Sequence, residues 1–124
     1  MLSLPPSVCI WLSVQPADLR KSFDGLAALV EQWLDGDPLS GHVFVFRNKA
    51  ADRVKLLVWD EDGYVIYYKR LEAGTFRFPV NGNGKPASIA IRAADLLMLL
   101  DGVDLASIRR RPRYRRPGPV AAPL

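Results

Sequence analysis

The chain has 124 residues, a formal net charge of +4 and 49% hydrophobic side chains, which sets it as one domain around a single core and leaves no length for two. No apolar run approaches the roughly 18 residues of a membrane-spanning helix. The opening "MLSLPPSVCIWLSV" lacks a basic start and carries two prolines, so it does not read as a signal peptide. A single cysteine, Cys9, closes no internal disulfide and fits a reducing cytoplasm.

In chain order, "VCIWLSV" (8–14) reads as a short buried strand between Pro5-Pro6 and Pro16, with Cys9 as a small core side chain. "ADLRKSFDGLAALVEQWLDGDP" follows. Phe23, Leu26, Leu29, Val30, Trp33 and Leu34 recur at three- and four-residue spacing and line one face of an amphipathic helix. Asp18 or Ser22 is placed to cap it, and Gly36 with Pro38 ends it. Gly25 costs about 1 kcal/mol relative to alanine if interior, and Arg20 and Lys21 sit where the helix dipole disfavours cations.

Three strands come next, "HVFVFRN" (42–48), "RVKLLVWD" (53–60) and "YVIYYKRL" (64–71), joined by "KAAD" and "DEDG". Connections this short make an antiparallel meander. If Asp60 pairs with Gly63, then Trp59 faces Tyr64, Leu57 faces Ile66 and Lys55 faces Tyr68; a bulged turn with Gly63 left-handed shifts this register by one, and the sequence leaves both open. Phe44, Phe46, Leu57, Trp59 and Ile66 share one face, and Val43, Val45, Leu56, Val58 and Val65 the other. A sheet apolar on both faces needs two covers. The long helix is one; the second is either a helix around "ADLLMLLDG" (94–102) or a partner molecule. "VNGNGKP" (80–86) is a loop. The expected fold is α+β: an antiparallel β-meander packed against one long amphipathic helix, with a second short C-terminal helix and a disordered basic tail. The body is 1–108 and the tail 109–124.

Catalytic chemistry finds little support. His42 is the only histidine, so no histidine metal cluster can form, and on a strand edge it reads as a packing or surface residue. Asp60, Glu61 and Asp62 before a glycine read as a solvated hairpin turn rather than a magnesium site. P-loop, CxxC and GxSxG patterns are missing, and "NGNGK" is too short for a phosphate loop. No catalytic residue, metal or cofactor is expected.

Basic residues interleaved with aromatics are the stronger signal. Residues 109–124 hold six arginines and no acid, so residues 1–108, with 11 basic and 13 acidic groups, carry a net −2. Arg109, Arg110, Arg111, Arg113, Arg115 and Arg116 flank Tyr114, a pattern suited to phosphate contact and base stacking. Prolines at 112, 117, 119 and 123 oppose a helix there. The plain reading is a solubilising tail, but six guanidiniums without acidic neighbours repel one another until an anion joins them. A second set, Arg53, Lys55, Lys69 and Arg70, clusters at one end of the hairpin beside Tyr67 and Tyr68; its plain reading is an exposed sheet end.

With "LPPSVCIWL" (4–12), "PADLRKSFDGLAALV" (16–30), "DPLSGHVFVFRNK" (37–49), "DRVKLLVWDEDGYVIYYKRLEAGTFRFP" (52–79) and "LLMLLDGVDL" (96–105) assembled, the chain resembles the TnpB accessory-protein family, encoded by the second open reading frame of bacterial insertion sequences of family 66. The resemblance implies a cytoplasmic, non-catalytic accessory role in DNA transposition, beside a separate transposase that carries the catalytic triad. DNA, the transposase and other accessory proteins of the element are the implied partners, with no membrane and with homo-oligomerisation left open. The arginine tail lies beyond the matched blocks. The competing expectation is a pure protein-interaction module that docks through the second apolar face and binds no DNA.

Overall fold

In the computed structural model, which describes residues 5, 7–78 and 87–102, the chain forms β1 (Ile10–Ser13), α1 (Phe23–Leu34), β2 (Val43–Arg47), β3 (Arg53–Asp60), β4 (Gly63–Arg70), β5 (Ser88–Ile91) and α2 (Ala93–Leu100). The strands make one five-stranded sheet in the order β4-β3-β2-β1-β5. From β2 to β4 the pairing is antiparallel. β1 corrects the expectation of an all-antiparallel sheet, because it lies parallel to β2 and antiparallel to β5. The sheet is therefore mixed, and β5 is a strand the sequence reading did not include.

The hairpin register is the one in which Asp60 pairs with Gly63, Trp59 with Tyr64, Leu57 with Ile66 and Lys55 with Tyr68. The left-handed residue of that turn is Glu61, at φ 52°, and not Gly63. Trp59 and Tyr64 meet edge to face with ring centroids 5.0 Å apart, a favoured aromatic geometry.

Both faces of the sheet are covered. On one, Leu26, Ala27, Leu29 and Val30 of α1 pack on Phe44, Phe46 and Leu57, with Trp33, Tyr64 and Ile66 at the margin. On the other, Leu96, Leu99 and Leu100 of α2 and the loop residue Phe76 pack on Val43, Val45, Val54 and Leu56. α2 thus supplies the second cover. Each fully buried leucine or valine here contributes about 1.5–3 kcal/mol relative to an exposed one.

Two single-residue expectations are corrected. Phe23 is 44% exposed, at the first residue of α1, while Leu26 one turn on is fully buried. Cys9 precedes β1 and is exposed. Ser22 is the N-cap of α1 but its hydroxyl makes no capping bond. At the other end Asp35, not Gly36, takes the left-handed conformation, and the Gly36 N–H donates to the Val30 carbonyl at 3.0 Å. Gly36 is needed for space instead, since a Cβ there would lie 3.1 Å from Val30 Cγ1 and 3.2 Å from Phe44 Cε1. Among the described residues no helix is long and apolar enough to cross a membrane.

Candidate functional site at the end of the sheet

Arg53 faces Arg70 across β3 and β4, Val54 faces Lys69, and Lys55 faces Tyr68. Opposed residues share a face, so Arg53, Lys55, Tyr68 and Arg70 stand on the α1 side with Leu57. Lys69 and Tyr67 stand on the α2 side. The basic set expected from sequence is therefore split. Lys69 Nζ donates to the Leu100 carbonyl at 2.8 Å, a cation on the C-terminal end of α2, where the helix dipole favours it.

On the α1 side, Arg53 and Arg70 would repel across the ladder. Arg70 is drawn off by Glu72, with Nε to Oε2 at 2.8 Å, and this hydrogen bond raises its guanidinium pKa further. Arg53 Nη1 donates to the Tyr68 hydroxyl at 3.2 Å. Lys55 is only 8% exposed. Its ammonium donates to the Lys21 carbonyl at 2.9 Å and lies 4.7 Å from the centroid of the Tyr68 ring, a cation–π contact. Among the described residues no carboxylate forms an ion pair with Lys55.

Two segments that sequence reasoning had not joined to this set complete it. The first is the turn before α1. Asp18 receives the Arg20 backbone N–H and a forked bond from the Arg20 guanidinium, with Nη2 to Oδ2 at 2.7 Å. Those side-chain hydrogen bonds come first among the causes that hold the Asp18 carboxyl down at about 2. Arg20 and Lys21 directly precede the N-cap Ser22, and the Asp18 carboxylate offsets the charge of Arg20 there. Gly25 has a reason here as well: the Lys21 side chain folds across it, and a Cβ would sit 2.9 Å from Lys21 Cβ.

The second segment is the turn after β2. Asn48 Oδ1 accepts the Arg53 N–H at 3.1 Å and Asn48 Nδ2 donates to Asp52 Oδ1 at 2.7 Å, which lets Ala51 turn the chain at φ 60°. The neighbouring Arg47 belongs to the opposite face. Its guanidinium donates to the Val14 and Asn48 carbonyls and sits 5.5 Å from the Phe78 ring centroid, and burial lowers its pKa. The distinctive "DLRKSFDG" and "FRNK" blocks were the available signal; only their meeting in space was not readable.

Together these elements line an open concavity of about 430 Å³, bounded by Asp18, Leu19, Arg20, Asn48, Arg53, Lys55 and Tyr68. A second hollow of about 400 Å³ against Arg53, Tyr68, Arg70 and Glu72 adjoins it.

The other sequence candidates lie away from this concavity or outside the described residues. His42 Nδ1 accepts the Cys9 N–H at 2.9 Å, so the ring serves as a brace between the approach to β1 and β2. Asp60, Glu61 and Asp62 are exposed at the hairpin tip, and among the described residues no group of His, Cys, Asp or Glu is placed to hold a metal. Arg109, Arg110, Arg111, Arg113, Tyr114, Arg115 and Arg116 lie outside the described residues, as does the loop at 80–86.

Comparison with known proteins gives three similarities. Residues 8–110 match the family described as IS66 Orf2 like protein. The chain is 37% identical over 112 residues to uncharacterized protein y4jC of Sinorhizobium fredii, covering 90% of this chain and 92% of that one. It is 36% identical over 104 residues to uncharacterized protein y4hO of the same organism, covering 84% and 88%. No solved structure matches significantly. The family match takes in both helices, all five strands and every residue that lines the concavity, and on it the chain belongs to the IS66 Orf2-like family.

Proposed function

We propose that the protein is a non-catalytic accessory factor of insertion-sequence transposition that binds DNA in the cytoplasm and acts beside the element's transposase. Family membership supports the transposition setting. The observation that carries DNA binding is the convergence of Arg20, Arg53, Lys55 and Arg70 with Tyr68 on one face at one end of the sheet. The tail arginines, Arg109 to Arg116, extend the same chemistry with six further cations. A scaffold that docks through the second apolar face is the weaker reading, since α2 and Phe76 occupy that face.

The test is binding to element-end DNA as a function of salt, by the full chain and by residues 1–108. The buried residues among those described all precede residue 101, which supports comparing the two chains. Removing the tail takes the net charge from +4 to −2. If all six tail arginines meet phosphates, log K of the full chain falls with log salt at a slope of roughly −5, from about 0.9 per contact. Losing the tail flattens that slope, and DNA incubated with protein and magnesium stays uncut. A full chain with no measurable DNA affinity at low salt refutes the proposal.

A further inference from the structure

The concavity beside Tyr68 has a hydrogen-bonding character that its net charge does not convey. It is lined by one carboxylate, whose oxygens are taken up by Arg20, and one amide oxygen, which already holds one donor. Asp18 receives three bonds from the Arg20 guanidinium and one from the Arg20 N–H, and Asn48 Oδ1 receives the Arg53 N–H. What remains is mainly donors. An ammonium has three N–H groups, and among the described residues Lys55 uses one, on the Lys21 carbonyl. A guanidinium has five, and among the described residues Arg53 uses one, on Tyr68. Because the Tyr68 hydroxyl accepts that bond, its own O–H can donate to a ligand. A nearly buried ammonium beside a wall rich in donors suits an anion.

We infer that this concavity is a phosphate-binding site, in which Lys55 and Arg53 hold the phosphate oxygens and the Tyr68 hydroxyl donates a further bond. Lys21 and Asn48 are positioning residues: the carbonyl of one fixes the Lys55 ammonium, and the side chain of the other fixes the start of β3. Arg20, with N–H groups beyond those given to Asp18, closes the rim. The inference rests on the DNA-binding reading and deepens it, since it assigns one phosphate of a nucleic acid to one place on the protein. The phosphate is either an internal diester or a terminal monoester of the strand; the chemistry of the site is the same for both.

The test is a nuclear magnetic resonance titration of the full chain at constant ionic strength with inorganic phosphate, then with a thymidine dinucleotide with and without a 5′-phosphate. Saturable amide shifts are expected at Arg20, Asn48, Arg53, Lys55 and Tyr68, and at least tenfold weaker binding in Lys55→Met and in Arg53→Gln. If Lys55→Met fails to fold, Arg53→Gln decides. Saturation by both dinucleotides assigns an internal diester, and saturation by the 5′-phosphorylated one alone assigns a terminal phosphate. Shifts that do not saturate, or that persist unchanged in the folded variants, overturn the site. DNA binding without shifts at the concavity sinks this inference and leaves the DNA reading standing. Phosphate saturation without DNA binding does the reverse.

Discussion

Phe76 and Phe23 have the same side chain and opposite expected weights in the stability of the fold. Phe76 is 2% exposed and packs in the cluster beneath α2, while Phe23 is 44% exposed on the first turn of α1. Truncating a buried phenylalanine to alanine costs about 3–5 kcal/mol, from lost transfer energy and the cavity left behind. Total stability for a domain of this size is about 5–15 kcal/mol, so Phe76→Ala should remove a large share of it. At about 3–5 °C per kcal/mol, between the ranges for smaller and larger domains, the melting temperature should fall by about 10 °C or more. Phe23→Ala should cost under about 1 kcal/mol, as surface changes do. Urea and thermal unfolding of the two variants, followed by circular dichroism, make the comparison directly. The reasoning fails if Phe23→Ala is the more damaging, which would return Phe23 to the core where helical periodicity alone puts it. It also fails if Phe76→Ala costs under about 1 kcal/mol, because 71–78 would then not be packed beneath the sheet.

Two further outcomes follow from the turn before α1. Gly25→Ala should destabilise the protein by about 1–2 kcal/mol despite the better helix former, since overpacking costs outweigh propensity gains of at most about 1 kcal/mol; urea midpoints check this, and a stabilised variant would mean the Lys21 side chain is not held there. The Asp18 carboxyl should titrate at about 2 in a carbon-detected pH series, below its ordinary 3.8. Its folded-state pKa is depressed, so its contribution to stability is present above pH 3.8 and is lost as the pH falls toward about 2. Arg20→Gln should bring the midpoint back toward 3.8, and an unmoved midpoint would refute the forked pair as its cause.

Much of this architecture is legible without coordinates. Alternation along 42–71 gives both apolar faces. The hairpin's chain length leaves two registers, and only the pairing of Lys55 with Tyr68 sends Lys69 and Lys55 to opposite faces. β5 is different. "SIAI" is four residues long after a glycine-rich loop, with no local signal to separate it from that loop, and it is a strand because β1 lies beside it. Phe23 keeps the right spacing, but as the first residue of α1 it stays 44% exposed. The concavity was half legible: its cations were visible, but the joining of residues 18–20 to 48 and 53–55 depends on how α1 crosses the sheet.

The strand order has a consequence for how the chain acquires its structure. β2, β3 and β4 are consecutive neighbours, so they zip by short-range closure. β1 is pinned between strands that arrive much later: Ile10 pairs with Val43 on one side and with Ile91 on the other. Pairings this distant must meet their loop-closure entropy before they are rewarded, and they slow folding. On a ribosome, β1 therefore completes its hydrogen bonding only after β5 has emerged. Until then the face that α2 will cover stays open to solvent, which makes the half-made chain, rather than the finished protein, the form most exposed to misassembly.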